Sequence, residues 1–323
     1  MRIILAPMEG VVDYTLRKLL TEVGGIDQCV TEFVRVSDRL LPPVVFHRLV
    51  PELRQQGKTA SDTPVLLQLL GSDPLALADN ACRAVELGAR GIDLNFGCPA
   101  KTVNKSRGGA VLLDEPELVH RIVAEVRRAV PDRIPVSAKM RLGFRDKSLA
   151  LENAQAIDGA GAASLVVHAR TKVEGYKPPA HWEWIARIRE SVCLPVIANG
   201  EVWSVEDYHR CREVSGCADV MIGRGLVANP FLALQIKGRE HPGDEPWQAV
   251  LALLERFHRE VMTSLSVRHI HGRLKQWLQM LSWHFPEARE LFLQLRTEKE
   301  PQRLLALLVE AQSAKPLTEV VQA

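Results

Sequence analysis

With 323 residues, 46% of them hydrophobic and 25% charged, the chain has enough apolar material for one large core and a smaller second one, which excludes disorder over its whole length. A formal net charge of +2 gives no reason to infer a polyanionic partner from composition, so a nucleic-acid site would need basic residues concentrated locally. The six cysteines, at 29, 82, 98, 193, 211 and 217, form no C-x-x-C pair and no zinc spacing, and no apolar run reaches 18 residues, so a reduced, metal-free protein without a membrane segment is expected.

The first residues read as a strand rather than an export signal, which makes a cytoplasmic protein the expectation. Short apolar runs then recur at Ile3–Ala6, Cys29–Phe33, Val65–Leu70, Gly91–Leu94, Val136–Met140, Leu165–His168, Val196–Ala198 and Asp219–Ile222. They lack strict alternation, as strands buried on both faces do. Between them lie helix signals. Ser72-Asp73-Pro74 offers an N-cap and a proline at the first helical position before Leu75–Leu87. Pro116 opens a stretch with Val119, Ile122, Val123 and Val126 on one face, and Gly159 and Gly161 close the helix before the sixth strand. Eight strands alternating with helices over roughly 240 residues predict an α/β fold, a parallel (β/α)8 TIM barrel. An open doubly wound sheet is the competing arrangement, and the absence of G-x-G-x-x-G after the first strand weighs against it.

Composition shifts near His241-Pro242-Gly243-Asp244, and no convincing strand follows. Val250, Leu254, Phe257, Val261 and Leu265 share one helical stripe, Leu274, Trp277, Leu278 and Leu281 another, and Pro286 and Pro301 introduce two more helical stretches. The reading is a barrel over residues 1–242 and a small all-α helical bundle over 243–323.

A barrel of this kind carries its site at the C-terminal strand ends. Polar residues gather there in nearly every unit: Pro7, Met8 and Glu9 after the first strand, Glu32 and Arg35 after the second, and Gln68 on the third. Asn95-Phe96-Gly97-Cys98-Pro99 follows the fourth, Lys139 and Arg141 the fifth, and His168 and Arg170 the sixth. Asn199-Gly200-Glu201 and Gly223-Arg224-Gly225 follow the last two. Singly, each could be a turn, an edge residue or a satisfied core group; burying so many polar groups without a purpose would be costly. The glycine-bearing turns after strands seven and eight suit a phosphate, with Arg224 as a charged contact. Lys139 and Gln68 would offer donors to the edge of a flat ring. Together they describe a phosphate-tailed aromatic cofactor, and FMN fits.

Cys98 stands directly after the fourth strand between Gly97 and Pro99, presented on a tight turn. No histidine-plus-carboxylate set accompanies it, so a proton donor fits better than a hydrolytic nucleophile. A thiol whose ordinary pKa is about 8.5 is mostly protonated near neutral pH.

These residues resemble the tRNA-dihydrouridine synthases over essentially the whole chain. The matching motifs are A-P-M-E-G at 6–10, T-E-F at 31–33, Q-L-L-G at 68–71, N-F-G-C-P-A-K-T-V at 95–103 and K-M-R-L-G at 139–143. V-H-A-R-T at 167–171, V-I-A-N-G-E-V at 196–202, V-M-I-G-R-G at 220–225 and R-L-K-Q-W-L at 273–278 complete them. The A-P-M-E-G start, V-F-H-R from Val45 and the R-L-K-Q-W-L tail look most like the C-type bacterial subgroup, which acts at tRNA position 16. One departure lies in S-R-G-G-A at 106–110, where the family usually has glycine at the place of Arg107. The resemblance implies NADPH-dependent reduction of the uracil C5–C6 double bond, with FMN passing hydride to C6 and Cys98 protonating C5 from the opposite face. It assigns Pro7, Met8, Glu9, Gln68, Lys139, His168, Asn199, Gly200, Glu201, Gly223 and Arg224 to FMN, and Asn95, Arg141 and Tyr176 to uracil. It implies tRNA as the partner of a monomeric enzyme. Arg268, Arg273 and Lys275 in the tail, beside His269 and His271, then read as a phosphate clamp, with Arg35 and Arg39 extending it from the barrel rim.

Three other readings exist for the same residues: a reductase of a free pyrimidine or other small enone, a Schiff-base aldolase using Lys139, and a non-catalytic RNA chaperone. The basic tail argues against the first, and Cys98 and the flavin residues against the other two.

Overall fold

Each apolar run of the sequence becomes a strand. The computed structural model describes residues 1–239 and 245–313. Its strands are β1 (Ile3–Leu5), β2 (Gln28–Val30), β3 (Val34–Arg35), β4 (Val65–Leu70), β5 (Ile92–Phe96), β6 (Val136–Arg141), β7 (Ser164–His168), β8 (Val196–Asn199) and β9 (Val220–Ile222). All pair in parallel, in the order β2-β1-β9-β8-β7-β6-β5-β4-β3, and β2 also pairs with β4, which closes the barrel. β2 and β3 are two halves of one barrel strand, since both pair with β4. The single run expected over Cys29–Phe33 is therefore interrupted. Thr31 causes the break: its Oγ1 accepts the Gln68 N–H at 3.0 Å, the place of a backbone carbonyl in an unbroken ladder. The break frees Glu32 and Phe33 to line the barrel mouth.

Alternate residues face the lumen and the helices. Ile4, Ala6, Val30, Val166, Ile197 and Met221 fill the barrel interior, while Ile3, Leu5, Val65, Leu67 and their equivalents join the larger core under the helices. Both faces are apolar, which is why the sequence showed no period of two.

The barrel helices are α1 (Tyr14–Val23), α2 (Pro43–Leu49), α3 (Pro74–Glu86), α4 (Lys101–Lys105), α5 (Pro116–Ala129), α6 (Ala150–Gly159), α7 (Trp182–Ser191), α8 (Val205–Ser215), α9 (Arg224–Ala228) and α10 (Leu232–Ile236). Caps set several starts. Asp13, Asp73 and Ser204 accept N–H groups of Leu16, Ala76 and Asp207, and Pro74 and Pro116 sit where a helix needs no donor.

The tail contains α11 (Pro246–Ser264), α12 (Val267–Leu281), α13 (Pro286–Leu295) and α14 (Pro301–Ser313). Both expected stripes are buried except Leu265, which lies just past the end of α11 and is exposed. α11 packs on α14, α12 and α1, and α12 packs on α9, so the tail rests on the first and last units of the barrel. The division expected between 242 and 243 lies outside the described residues. No helix among the described residues is long and apolar enough to cross a membrane.

Candidate active site

A cavity of about 550 Å3 opens at the C-terminal ends of the strands, a size that suits a small ligand or cofactor. Its floor is organised by a chain of hydrogen bonds that runs upward from Asp93 in β5. The carboxylate of Asp93 accepts from Ser137 Oγ (2.6 Å) and from Gln68 Nε2 (2.7 Å). With its amide nitrogen turned to Asp93, Gln68 presents Oε1 to Asn95 Nδ2 at 2.7 Å. Asn95 in turn presents Oδ1 to the backbone N–H groups of Gly97 (3.0 Å) and Cys98 (2.9 Å). An ionised carboxylate only accepts, so each amide below the cysteine has its polarity fixed by the one before it. Burial raises the Asp93 pKa, while Gln68, Ser137 and Lys139 oppose that rise.

Cys98 is 9% exposed and lines the cavity. The Ala110 N–H and Asn104 Nδ2 both donate to its carbonyl. Gly109 lies against it with φ +70°; a Cβ there would fall 2.9 Å from the Cys98 Cβ. Burial raises the thiol pKa, Glu9 adds to the effect, and the Ala100 N–H, Arg141 and Arg35 pull against it. A protonated thiol on a fixed loop results.

The opposite wall is cationic. Lys139 Nζ donates to Asn199 Oδ1 at 2.9 Å, and Asn199 Nδ2 donates to the Met221 carbonyl. Burial and then Arg141 push the Lys139 pKa down to about 8. Burial, with Arg141, Lys139, Arg170 and Arg224 around it, holds His168 well below its ordinary pKa and so neutral. Its Nδ1 is buried with no hydrogen-bond partner. Arg224 lies 4.9 Å from the centres of the Tyr176 and Trp203 rings, and Arg141 lies 5.1 Å from Tyr176, so Tyr176 touches two guanidinium groups. Glu201 is held by Arg170 and Trp203 Nε1, which leaves Arg224, 3.7 Å from that carboxylate, facing the cavity.

A family model described as dihydrouridine synthase (Dus) matches residues 4–315. The chain belongs to the dihydrouridine synthase family. Among its curated relatives, a tRNA-dihydrouridine(16) synthase of Pseudomonas putida is 61% identical over 97% of this chain and 98% of that protein. Enzymes of the same name from Aquipseudomonas alcaligenes and Shewanella oneidensis are 59% and 50% identical, covering 95% and 97% of this chain and 99% and 98% of theirs.

For this dihydrouridine synthase family member, every residue that the sequence assigned to cofactor, uracil or proton transfer lines this cavity: Pro7, Met8, Glu9, Gln68, Asn95, Cys98, Lys139, Arg141, His168, Tyr176, Asn199, Gly200, Glu201, Gly223 and Arg224. The five cations expected to hold phosphate lie outside the cavity lining, Arg39 among them as an exposed residue. Arg35 is exposed and donates to Ser106 Oγ at 2.6 Å, and Arg268 is exposed on the first turn of α12. Arg273 and Lys275 depart from the expectation of a phosphate clamp, because both are engaged within the chain. Arg273 binds the loop after β1, and Lys275 donates to the carbonyls of Arg296 and Glu298 just beyond α13.

Sequence reasoning missed several cavity residues. Phe33 lies inside the T-E-F motif, and Glu32, one of the polar strand-end residues, carries no assignment to cofactor or substrate. Trp203 follows the N-G-E turn. Met280 and Trp283 come from the tail, and the Trp203 and Trp283 rings meet edge-on with centres 5.6 Å apart. The 277–280–283 spacing of large residues continuing the α12 stripe is the signal that could have found the last two.

Proposed function

We propose that the protein reduces a uridine in the D-loop of tRNA to 5,6-dihydrouridine, at position 16, using bound FMN and NADPH as reductant, and that it works as a monomer in the cytoplasm. Family membership supports the reaction class, and the names of the relatives support the position. The observation that carries the site is the convergence of Cys98 and a cationic wall on one cavity.

The residues present suit FMN. His168 and Lys139 line the cavity, and the Lys139 ammonium, whose protein acceptor is Asn199 Oδ1, keeps further N–H donors for a ligand. Gln68, Lys139 and His168, with the loop Pro7–Glu9, would hold the ring. The Asn199-Gly200-Glu201 and Gly223-Arg224 turns would hold the phosphate end, where α9 begins and leaves its first N–H groups without carbonyl partners. When bound, the flavin supplies hydride to uracil C6.

The chain's own residues do the rest. Asn95 and Arg141 present donors to the uracil carbonyls, and Tyr176 offers a ring face beside them. Cys98 would release its thiol proton to C5, so that one hydride and one proton add across the double bond. The thiol is left as a thiolate that solvent reprotonates. Because the base must leave the RNA stack to enter the barrel, these polar contacts offset the cost of unstacking. Residues 1–242 form the FMN-binding catalytic domain in this reading and 243–323 a helical tRNA-binding domain, with the exposed Arg268 and Arg35 facing phosphates.

The test is expression in a strain whose own dihydrouridine synthases have been deleted, followed by mapping of dihydrouridine in its tRNA by sequencing. Dihydrouridine at position 16 is expected. Modification only at position 20 would overturn the site assignment and leave the chemistry, and purified protein lacking flavin absorbance would overturn the cofactor.

A further inference from the structure

Arg273, expected to hold phosphate, is only partly exposed, with 16% of its side chain accessible. Its guanidinium donates to the carbonyls of Gly10 (2.8 Å) and Val11 (2.9 Å) and pairs with the Asp13 carboxylate at 2.6 Å. The Phe257 ring centre is 5.6 Å away. Asp13 also caps α1, and Glu32 accepts the Gly10 N–H at 2.5 Å. The loop that carries Pro7, Met8 and Glu9 into the cavity is thus gripped from the tail, from α1 and from the second strand.

One turn further along α12, Trp277 Nε1 donates to the Val227 carbonyl at 3.1 Å. Val227 lies in α9, the helix that begins at Arg224 beside the cavity. Met280 continues the same face and Trp283 follows it, and both line the cavity directly. Residues 273, 277 and 280 stand at helical spacings of four and three, so a single face of α12 carries all three. Strands β1 and β9 are neighbours in the barrel, and their two outgoing loops therefore sit side by side under this face.

We propose that α12 is a built-in part of the cofactor site, in which Arg273 and Trp277 are positioning residues that hold the loops after β1 and β9 in their ligand-ready form. The inference rests on the reading of the cavity as an FMN site. Without the Arg273 guanidinium, the Gly10 and Val11 carbonyls lose a charged donor and turn to water, and the loop gains conformations that FMN must then suppress. Such ordering weakens binding without removing any direct contact. The tail then serves the flavin through this face whether or not RNA is present.

The experiment uses full-length apo-protein reconstituted with FMN and followed by quenching of flavin fluorescence. Arg273→Met keeps the stem but removes charge and donors, Arg273→Lys restores one donor, and Trp277→Phe removes the N–H together with part of the indole while keeping a ring against Phe257, whose centre lies 4.9 Å from that of Trp277. The FMN Kd should rise about tenfold or more in Arg273→Met, as loss of hydrogen bonds to a charged group predicts, and by a smaller factor in Trp277→Phe. Arg273→Lys should recover part of the loss, and the visible circular dichroism of the bound flavin should shift in the same order. With FMN saturating, the dependence of tRNA affinity on salt should match wild type in all three. Unchanged FMN Kd in Arg273→Met overturns the proposal. So does a salt slope reduced by about 0.7–0.9, which would mark a lost phosphate contact. If Arg273→Met does not fold, Trp277→Phe decides alone, with an unchanged Kd counting against. Wild-type protein that takes up no FMN would instead defeat the flavin reading itself.

Discussion

Lys139 on β6 reaches past β7 to Asn199 on β8, its Nζ donating 2.9 Å to Oδ1, with no carboxylate among the described residues in direct contact. Burial and Arg141 bring its pKa down to about 8, and Asp93 only partly offsets them. The sign follows directly. A folded-state pKa below the ordinary lysine value means that the unfolded chain holds more protons between the two, so the cost of Lys139 to stability shrinks as pH rises through that window. A ligand that prefers the ammonium behaves oppositely. FMN affinity should be flat below pH 8 and then fall, by at most about tenfold per pH unit, as the free protein loses this proton. Lys139→Met should bind FMN more weakly and show no such fall; fluorescence titrations from pH 7 to 9.5 measure both.

Cys98 offers a second pH signature. Its thiol is held above the ordinary pKa chiefly by burial, with help from Glu9. Alkylation by iodoacetamide should therefore be slow at neutral pH and accelerate only in the alkaline range. Cys98→Ala should keep FMN binding and flavin reduction by NADPH near wild type while slowing dihydrouridine formation about 100-fold or more, the usual contribution of a positioned acid. A variant that forms dihydrouridine at the normal rate would remove the proton-donor role.

Arg107, where the family resemblance leads one to expect glycine, adopts φ +56°. The left-handed region costs a side-chain-bearing residue about 1–2 kcal/mol, which is the physical reason for a glycine there. The Arg107–Glu115 pair at 2.5 Å offsets little of this, since both partners are exposed. Arg107→Gly should be at least as stable as wild type, and Arg107→Val, with a β-branched side chain forced to positive φ, should lose about 1–2 kcal/mol or more in urea denaturation.

The strands were legible because each is a contiguous apolar run, and the cavity residues because polar groups at strand ends have few other reasons to be there. What escaped depends on contacts distant in sequence. The break after Val30 needs the Thr31 hydroxyl to meet Gln68, thirty-seven residues on. Arg273 reads as a solvated cation until its partners, about 260 residues earlier, come into view. Helical spacing marks Trp277 as core and continues at 280 and 283, yet nothing local says that Met280 and Trp283 enter the cavity wall. Charge patterning shows where cations lie, while only packing shows what they hold.

Beneath the loop after β1, the buried pair Arg17–Glu52 allows the last prediction. Both side chains are 0% exposed. Arg17 Nε and Nη2 donate to the two carboxylate oxygens at 2.7 and 3.1 Å, and Nη1 and Nη2 also donate to the carbonyls of Val12 and Leu49. Burial opposes the guanidinium charge, but Glu52 outweighs it and raises the Arg17 pKa. The pair joins α1 to the 3-10 helix Pro51–Gln55, and with them the ends of the segment that contains the divided second strand. Removing one partner leaves the other as an uncompensated buried charge, so Arg17→Met should cost about 3–5 kcal/mol. The double variant Arg17→Met, Glu52→Leu removes both charges and should recover most of that loss, leaving only the unpartnered Val12 and Leu49 carbonyls at about 1–3 kcal/mol each at most. Urea denaturation of the single and double variants gives the comparison, with circular dichroism as the probe. A single variant as stable as wild type would show that water reaches the site, and a double variant no better than the single one would place the cost in the lost carbonyl contacts rather than in the stranded carboxylate.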